Sequence, residues 1–133
     1  MSDKELVKVL LVDDEDVVRE VCTAILKKAG FNVTTAVNGL DALEKIKESE
    51  YDIVVLDVNM PKLDGIDLYK TVLKTKPDMR DRFLFITGNL GGELDALGVL
   101  LQTDILVICK PFTTEDFLAN VRQLIGRVTE QSA

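Results

Sequence analysis

The stretch Tyr51-Asp52-Ile53-Val54-Val55-Leu56-Asp57-Val58-Asn59-Met60-Pro61-Lys62-Leu63-Asp64-Gly65 decides how the rest of the chain is read. Four aliphatic residues, Ile53 to Leu56, run without a polar break and deliver the carboxylate of Asp57. The chain then breaks at once into a segment punctuated by Asn59, Pro61 and Asp64-Gly65. A short continuous apolar run fits a strand buried on both faces, as inside a parallel sheet covered by helices. An acidic residue at the carboxyl end of such a strand falls in the crevice where open α/β sheets place their chemistry.

Further strand-like runs lie on either side, at Leu6 to Val12, Asn32 to Ala36, Phe83 to Ile86 and Ile105 to Cys109. Segments with helical spacing follow them, and that alternation predicts a parallel α/β sheet. After the first strand, Val18, Val21, Cys22, Ile25, Leu26 and Ala29 recur at three- and four-residue steps and stop at Gly30, a natural terminator. After the last, Phe117, Leu118, Val121, Leu124, Ile125 and Val128 repeat the pattern. Between them the spacing predicts a helix over about Leu40 to Lys47, with Leu43 and Ile46 inward. Another is predicted over about Ile66 to Lys74, with Ile66, Tyr69, Val72 and Leu73 inward, before Pro77 interrupts. A helix somewhere between Gly92 and Gln102 is expected to be the most mobile element, because each glycine there costs roughly 1 kcal/mol against alanine. No repeat, linker or low-complexity tract divides the 133 residues, so residues 1–133 read as one domain with a core of about 6–127 and short loose tails.

Composition narrows the function. Sixteen Lys and Arg against 23 Asp and Glu leave a formal charge of -7, which argues against direct nucleic-acid binding. The charged opening Met1-Ser2-Asp3-Lys4-Glu5 and the interruption at Lys8 argue against a signal peptide or a membrane span, so a cytoplasmic protein is expected. Cys22 and Cys109 read as core thiols rather than a disulfide. Histidine is absent, which removes Ser-His-Asp catalysis, the common zinc sites and any phosphohistidine role for this chain itself.

Polar residues punctuate the strand ends: Asp13-Asp14 after the first, Asp57 after the third, Thr87 after the fourth and Lys110 after the fifth. In a right-handed parallel sheet these ends point the same way, so the five side chains are expected to converge. Gathered carboxylates repel one another unless a hard cation sits among them, and this donor set favours Mg2+ completed by water and a phosphoryl oxygen. Lys110 and Thr87 supply the positive charge and hydroxyl donor that a transferring phosphoryl group needs, leaving Asp57 as the nucleophile.

Asp13-Asp14, Asp57-Val58-Asn59-Met60-Pro61 with Asp64-Gly65 behind it, Thr87, and Lys110-Pro111-Phe112 together resemble the receiver domain of two-component response regulators, over about Val7 to Gly126. That resemblance implies a flavodoxin-like, doubly wound (βα)5 fold with a five-stranded parallel sheet in the order 2-1-3-4-5. It implies that Asp57 accepts a phosphoryl group from a phosphohistidine of a histidine kinase or phosphotransfer protein and then switches binding to a downstream protein. Asp13, Asp14, Asp57 and the Asn59 carbonyl would hold Mg2+. Lys110 would pair with the phosphoryl oxygens, Thr87 would shift inward to them, and the amides of Asn59 and Gly88 would be further donors. A cis bond between Lys110 and Pro111 is implied too. The module would behave as a switch rather than a turnover enzyme, as a monomer or weak dimer. Asn59 and Asn89 stand where the family tunes the lifetime of the phosphoryl group.

The family usually carries Tyr or Phe three residues before the lysine, and here that position is Val107. Similar receivers with a Thr-Gly pair such as Thr87-Gly88 are attached to hybrid sensor kinases. Without the aromatic, the phosphorylation response is expected to concentrate between Thr87 and Thr103.

Taken singly, each feature has a blander reading. The acidic run after the first strand is a helix cap, Asp57 a turn residue, Thr87 a plain strand residue and Lys110 a snorkelling edge charge. Asp64-Gly65 reads best as the turn that opens the third helix. Five such coincidences at carboxyl strand ends favour the phosphoacceptor reading. The competitors are a Mg2+-dependent phosphatase with an aspartyl nucleophile, for which Asn59 cannot serve as general acid, and a phosphorylation-silent docking module. A flavodoxin-like binding module would need a phosphate-cradling loop after the first strand, where the Asp pair sits instead.

Overall fold

A computed structural model describes residues 7–60, 62–88 and 106–132, with side chains of the last helix described as far as Thr129. Five strands, β1 (Lys8–Val12), β2 (Asn32–Ala36), β3 (Ile53–Asp57), β4 (Phe83–Thr87) and β5 (Leu106–Cys109), form one parallel sheet in the order β2-β1-β3-β4-β5. Helices α1 (Asp16–Lys28), α2 (Gly39–Glu48), α3 (Gly65–Thr75) and α4 (Thr114–Ser132) follow β1, β2, β3 and β5, with a 3-10 turn at Pro77–Met79. This is the doubly wound arrangement expected from the sequence, and the strand limits agree to within two residues. The helix expected between Gly92 and Gln102 lies outside the described residues.

Strand alternation divides the core into two layers. Leu10, Val12, Val54, Leu56, Phe83 and Phe85 face α2 and α3, meeting Ala42, Ile46, Leu68, Tyr69 and Val72. Val9, Leu11, Ile53, Val55, Leu84 and Ile86 face α1 and α4, meeting Cys22, Leu26, Phe117, Val121 and Leu124. Burial on both sides explains the unbroken apolar runs Val9–Val12 of β1, Ile53–Leu56 of β3 and Phe83–Ile86 of β4, whereas the edge strand β2 carries Thr34 and Thr35. Tyr69 meets Phe83 and Phe85 edge-on, at 4.9 and 5.4 Å between ring centroids, and its hydroxyl donates to the Arg80 carbonyl at 3.2 Å.

Several placements differ from the periodic reading. Val21 is 52% exposed, because it lies about 100° round α1 from Cys22 and falls off the edge of the buried stripe. Cys109 is half-buried rather than a core thiol, because β5 is an edge strand. Ala42 and Leu68 are buried although the pattern did not single them out. The last helix continues to Ser132, beyond the expected end of the core at 127.

Local chemistry sets the helix ends. Asn38 and Asp64 cap α2 and α3 by accepting from the amides of Asp41 and Asp67. Gly30, at φ 98°, ends α1 in a conformation glycine tolerates. Gly39 and Gly65 are required by close approach: a Cβ on Gly39 would lie 2.7 Å from the Leu63 Cβ, and one on Gly65 would lie 2.8 Å from the Asp57 carbonyl oxygen. Both contacts press a helix start against the loop that follows Asp57. Gly39→Ala should therefore destabilise the fold by about 1–3 kcal/mol in urea denaturation. Gly126→Ala, in open space within α4, should stabilise it by up to about 1 kcal/mol. Equal midpoints for the two variants would contradict this account of the packing.

Candidate functional site

The sheet register builds the site. Val12 pairs with Leu56, so the next residues, Asp13 and Asp57, leave the sheet at the same level. Asp57 pairs with Ile86, and Ile86 with Ile108; Thr87 pairs with Cys109 one step higher, and Lys110 follows. Lys110 thus overhangs Asp57, and its Nζ donates to Asp57 Oδ2 at 2.7 Å. Its backbone amide donates to the Thr87 carbonyl at 2.8 Å, and the Lys110–Pro111 peptide bond is cis.

Asp13, Asp57 and Thr87 are buried, at 1%, 4% and 0% exposure. Asp57 Oδ1 accepts from the Asn59 amide at 2.9 Å, so in this state that amide is engaged by the aspartate itself. Asp13 Oδ1 accepts from the Glu15 amide at 2.9 Å, and the Asp13 carbonyl accepts from Arg19 Nη1 at 2.7 Å. Asp13 Oδ2 is buried without a partner. Burial, with the nearby charges of Asp57 and Asp14 adding to it, pushes the Asp13 carboxyl up to about 6, against the opposing pull of the Glu15 amide and Lys110. At Lys110, partial burial works to lower the ammonium, but the hydrogen bond and charge of Asp57, with Asp13 and Glu15 behind, hold it above its ordinary value.

Carboxylate oxygens of Asp13, Glu15 and Asp57 lie within 4.8 Å of one another. Asp14, expected among the cation ligands, is exposed and stands outside this group. The turn closed by the Glu15 amide on Asp13 directs Asp14 outward and returns Glu15 over the pocket, where its Oε1 lies 3.6 Å from Lys110 Nζ. Sequence reading missed both Glu15 and Arg19; an Asp followed two residues on by a polar residue is an Asx-turn signal that could have pointed to Glu15. Hard oxygen donors, one of them a buried orphan, fit a divalent cation. Thr87 ends β4 beside Asp57, and Gly88 is exposed, its position 3.9 Å from the Lys110 side chain when a Cβ is placed there. The expected response region, Thr87 to Thr103, lies largely outside the described residues, as does Asn89. Val107 is half-buried and packs on the α2–α3 side of the sheet.

Fold and pocket together define a doubly wound α/β protein whose chemistry is an aspartate-lysine pair in a carboxylate-lined crevice. The chain belongs to the response regulator receiver domain family, whose sequence model matches residues 9–122. It is 37% identical to the transcriptional regulatory protein CpxR homolog of Haemophilus influenzae, over 94% of this chain and 53% of that protein. It is also 37% identical to the sensor kinase CckA of Brucella abortus, over 90% of this chain and 12% of that protein. The chain therefore spans about half of the first and a small part of the second. A receiver domain structure from Clostridium thermocellum superposes with a TM-score of 0.84 at 28% identity, covering 95% of this chain and 99% of that one. Receiver domains are phosphoacceptor modules of two-component systems; they work with histidine kinases or phosphotransfer proteins and bind Mg2+ as a family.

Asp13 titrates above its ordinary value of 3.8, so its contribution to stability in the metal-free protein is present below about pH 4 and is lost as pH rises through about 6. Denaturation in EDTA should show Asp13→Asn gaining on the wild type across that window, and saturating Mg2+ should shrink the gain. A difference that stays flat from pH 4 to 8 would contradict the burial argument.

Proposed function

We propose that Asp57 accepts a phosphoryl group from a phosphohistidine on a partner kinase or phosphotransfer protein, and that the modified and unmodified forms differ in affinity for a downstream protein. The observation that carries this reading is the buried Asp57 carboxylate bonded to Lys110 at 2.7 Å, with the orphaned Asp13 oxygen beside it. One Asp57 oxygen attacks phosphorus as the nitrogen–phosphorus bond breaks. The bonding pair stays with the departing imidazole nitrogen, and the carboxylate becomes an acyl phosphate.

Lys110 exchanges Asp57 for a phosphoryl oxygen, and the Thr87 hydroxyl with the amides of Asn59 and Gly88 serves the others. Asp13 and Asp57 would hold a Mg2+ ion, with the Asn59 carbonyl, with Glu15 at the pocket mouth, and with Asp14 after a change of its side-chain direction. Mg2+ held there would neutralise the negative charge that the carboxylates and an arriving phosphoryl group bring together. Turnover is not expected: Asn59 stands where a phosphatase of the aspartyl-nucleophile type needs a carboxylic acid to shuttle protons. Cytoplasmic residence is supported by the free thiols of Cys22 and Cys109, and no described helix is long and apolar enough to cross a membrane.

Intact mass after treatment with acetyl phosphate and Mg2+ should show one added phosphoryl group on the wild type and none on Asp57→Asn. Lys110→Ala, still folded by circular dichroism, should incorporate it roughly a hundredfold more slowly. Equal incorporation by Asp57→Asn would remove the assignment.

A further inference from the structure

Arg19 is the fourth residue of α1, near the helix start, where the positive end of the dipole disfavours a cation. Its side chain is nevertheless only 17% exposed, and it turns back out of the helix: Nη1 donates to the Asp13 carbonyl at 2.7 Å, while Nη2 donates to Asp16 Oδ1. The second contact joins neighbours on one exposed helix turn, a kind of ion pair that contributes little. The first is different in kind, because it ties α1 to the residue that leaves β1 and enters the pocket. The N-cap residue Glu15, by contrast, makes no side-chain capping bond.

We propose that Arg19 is a positioning residue for the divalent cation: by holding the peptide between Asp13 and Asp14, it keeps Asp13 and Glu15 directed at the pocket and so sets the affinity for Mg2+. The inference rests on the reading of Asp13, Glu15 and Asp57 as a cation site. The carbonyl that Arg19 holds belongs to a rigid peptide plane, so fixing its oxygen fixes how the chain enters Asp14. On the far side of Asp14, the Arg19 amide donates to the Glu15 carbonyl at 3.0 Å. One residue thus grips the turn before and after Asp14, while the Glu15 amide closes it onto Asp13 Oδ1. The charges acting on the Asp13 carboxyl are those of Asp57, Lys110 and Asp14, so the guanidinium works on the backbone. Positioning and simple electrostatics predict opposite signs. A guanidinium near a cation site repels the cation, so charge alone makes its removal tighten binding; loss of a positioning bond weakens it.

The test is a Mg2+ titration of the full 15N,13C-labelled chain, followed at the Glu15 and Asn59 amides, with no phosphoryl donor present. Arg19→Met keeps the apolar stem and loses the donor; it should bind Mg2+ roughly tenfold more weakly than the wild type. Its Asp13 carbonyl carbon resonance should move while the amides of Leu68 and Val72, in the opposite core layer, stay in place. Arg19→Lys, which restores a donor within reach of the carbonyl, should bind more tightly than Arg19→Met. Asp16→Asn leaves the Asp13 bond intact and should stay within about twofold of the wild type. Should Arg19→Met lose its circular dichroism, Arg19→Gln, also without reach to the carbonyl, repeats the measurement. Equal or tighter binding by Arg19→Met would overturn the proposal, as would Arg19→Lys binding no better than Arg19→Met, or Asp16→Asn losing as much. A wild type that shows no saturable Mg2+ shift would remove the cation reading and this inference with it, whereas a wild type that binds beside an unimpaired Arg19→Met removes this inference alone.

Discussion

Bringing Asp13, Asp57 and Glu15 together costs electrostatic energy, and the ammonium of Lys110 offsets part of it. Two of the three carboxylates are buried, where a charge without a partner is costly. Lys110 bonds directly to Asp57 and lies near Glu15, whereas Asp13 feels its charge only at a distance and has a hydrogen bond from one amide on one oxygen and none on the other. Burial first, and the neighbouring carboxylates after it, push the Asp13 carboxyl upward. A pocket left short of positive charge in this way fits a further cation.

What holds the acids at that distance is the sheet. Parallel pairing fixes the levels at which β1, β3, β4 and β5 end, and the two core layers clamp each strand from both sides. The loop after Asp57 is held as firmly: the Gly65 amide donates to the Val58 carbonyl at 2.9 Å, and the starts of α2 and α3 press on the same segment through Gly39 and Gly65. Asp57 is thus mounted on tightly packed backbone, whereas Glu15 and Asp14 sit at the exposed mouth.

The same architecture separates two kinds of surface. The carboxyl edge carries the acidic pocket, and the outer side of α1 and α4 carries an apolar furrow with positive rims. Val107, half-buried against the α2–α3 side, cannot swing an aromatic ring between pocket and surface.

The sequence by itself determined the alternation of strands and helices, the strand ends and the identities of Asp13, Asp57, Thr87 and Lys110, because hydrophobic period and the polar residue that ends each run are local properties. Even the cap at Asp64 was readable, since Asp before Gly at a helix start acts within three residues. Only the tertiary structure decided which neighbours share the pocket. Glu15 replaced Asp14 through a turn hydrogen bond, Arg19 reached back to the Asp13 carbonyl, and Gly39 proved necessary because of Leu63, far away in the chain. The exposure of Val21 and Cys109 likewise depended on which strands and helices lie at the edge. Periodicity says which side of an element is apolar, but how much of that side is covered is set by distant residues that fold against it.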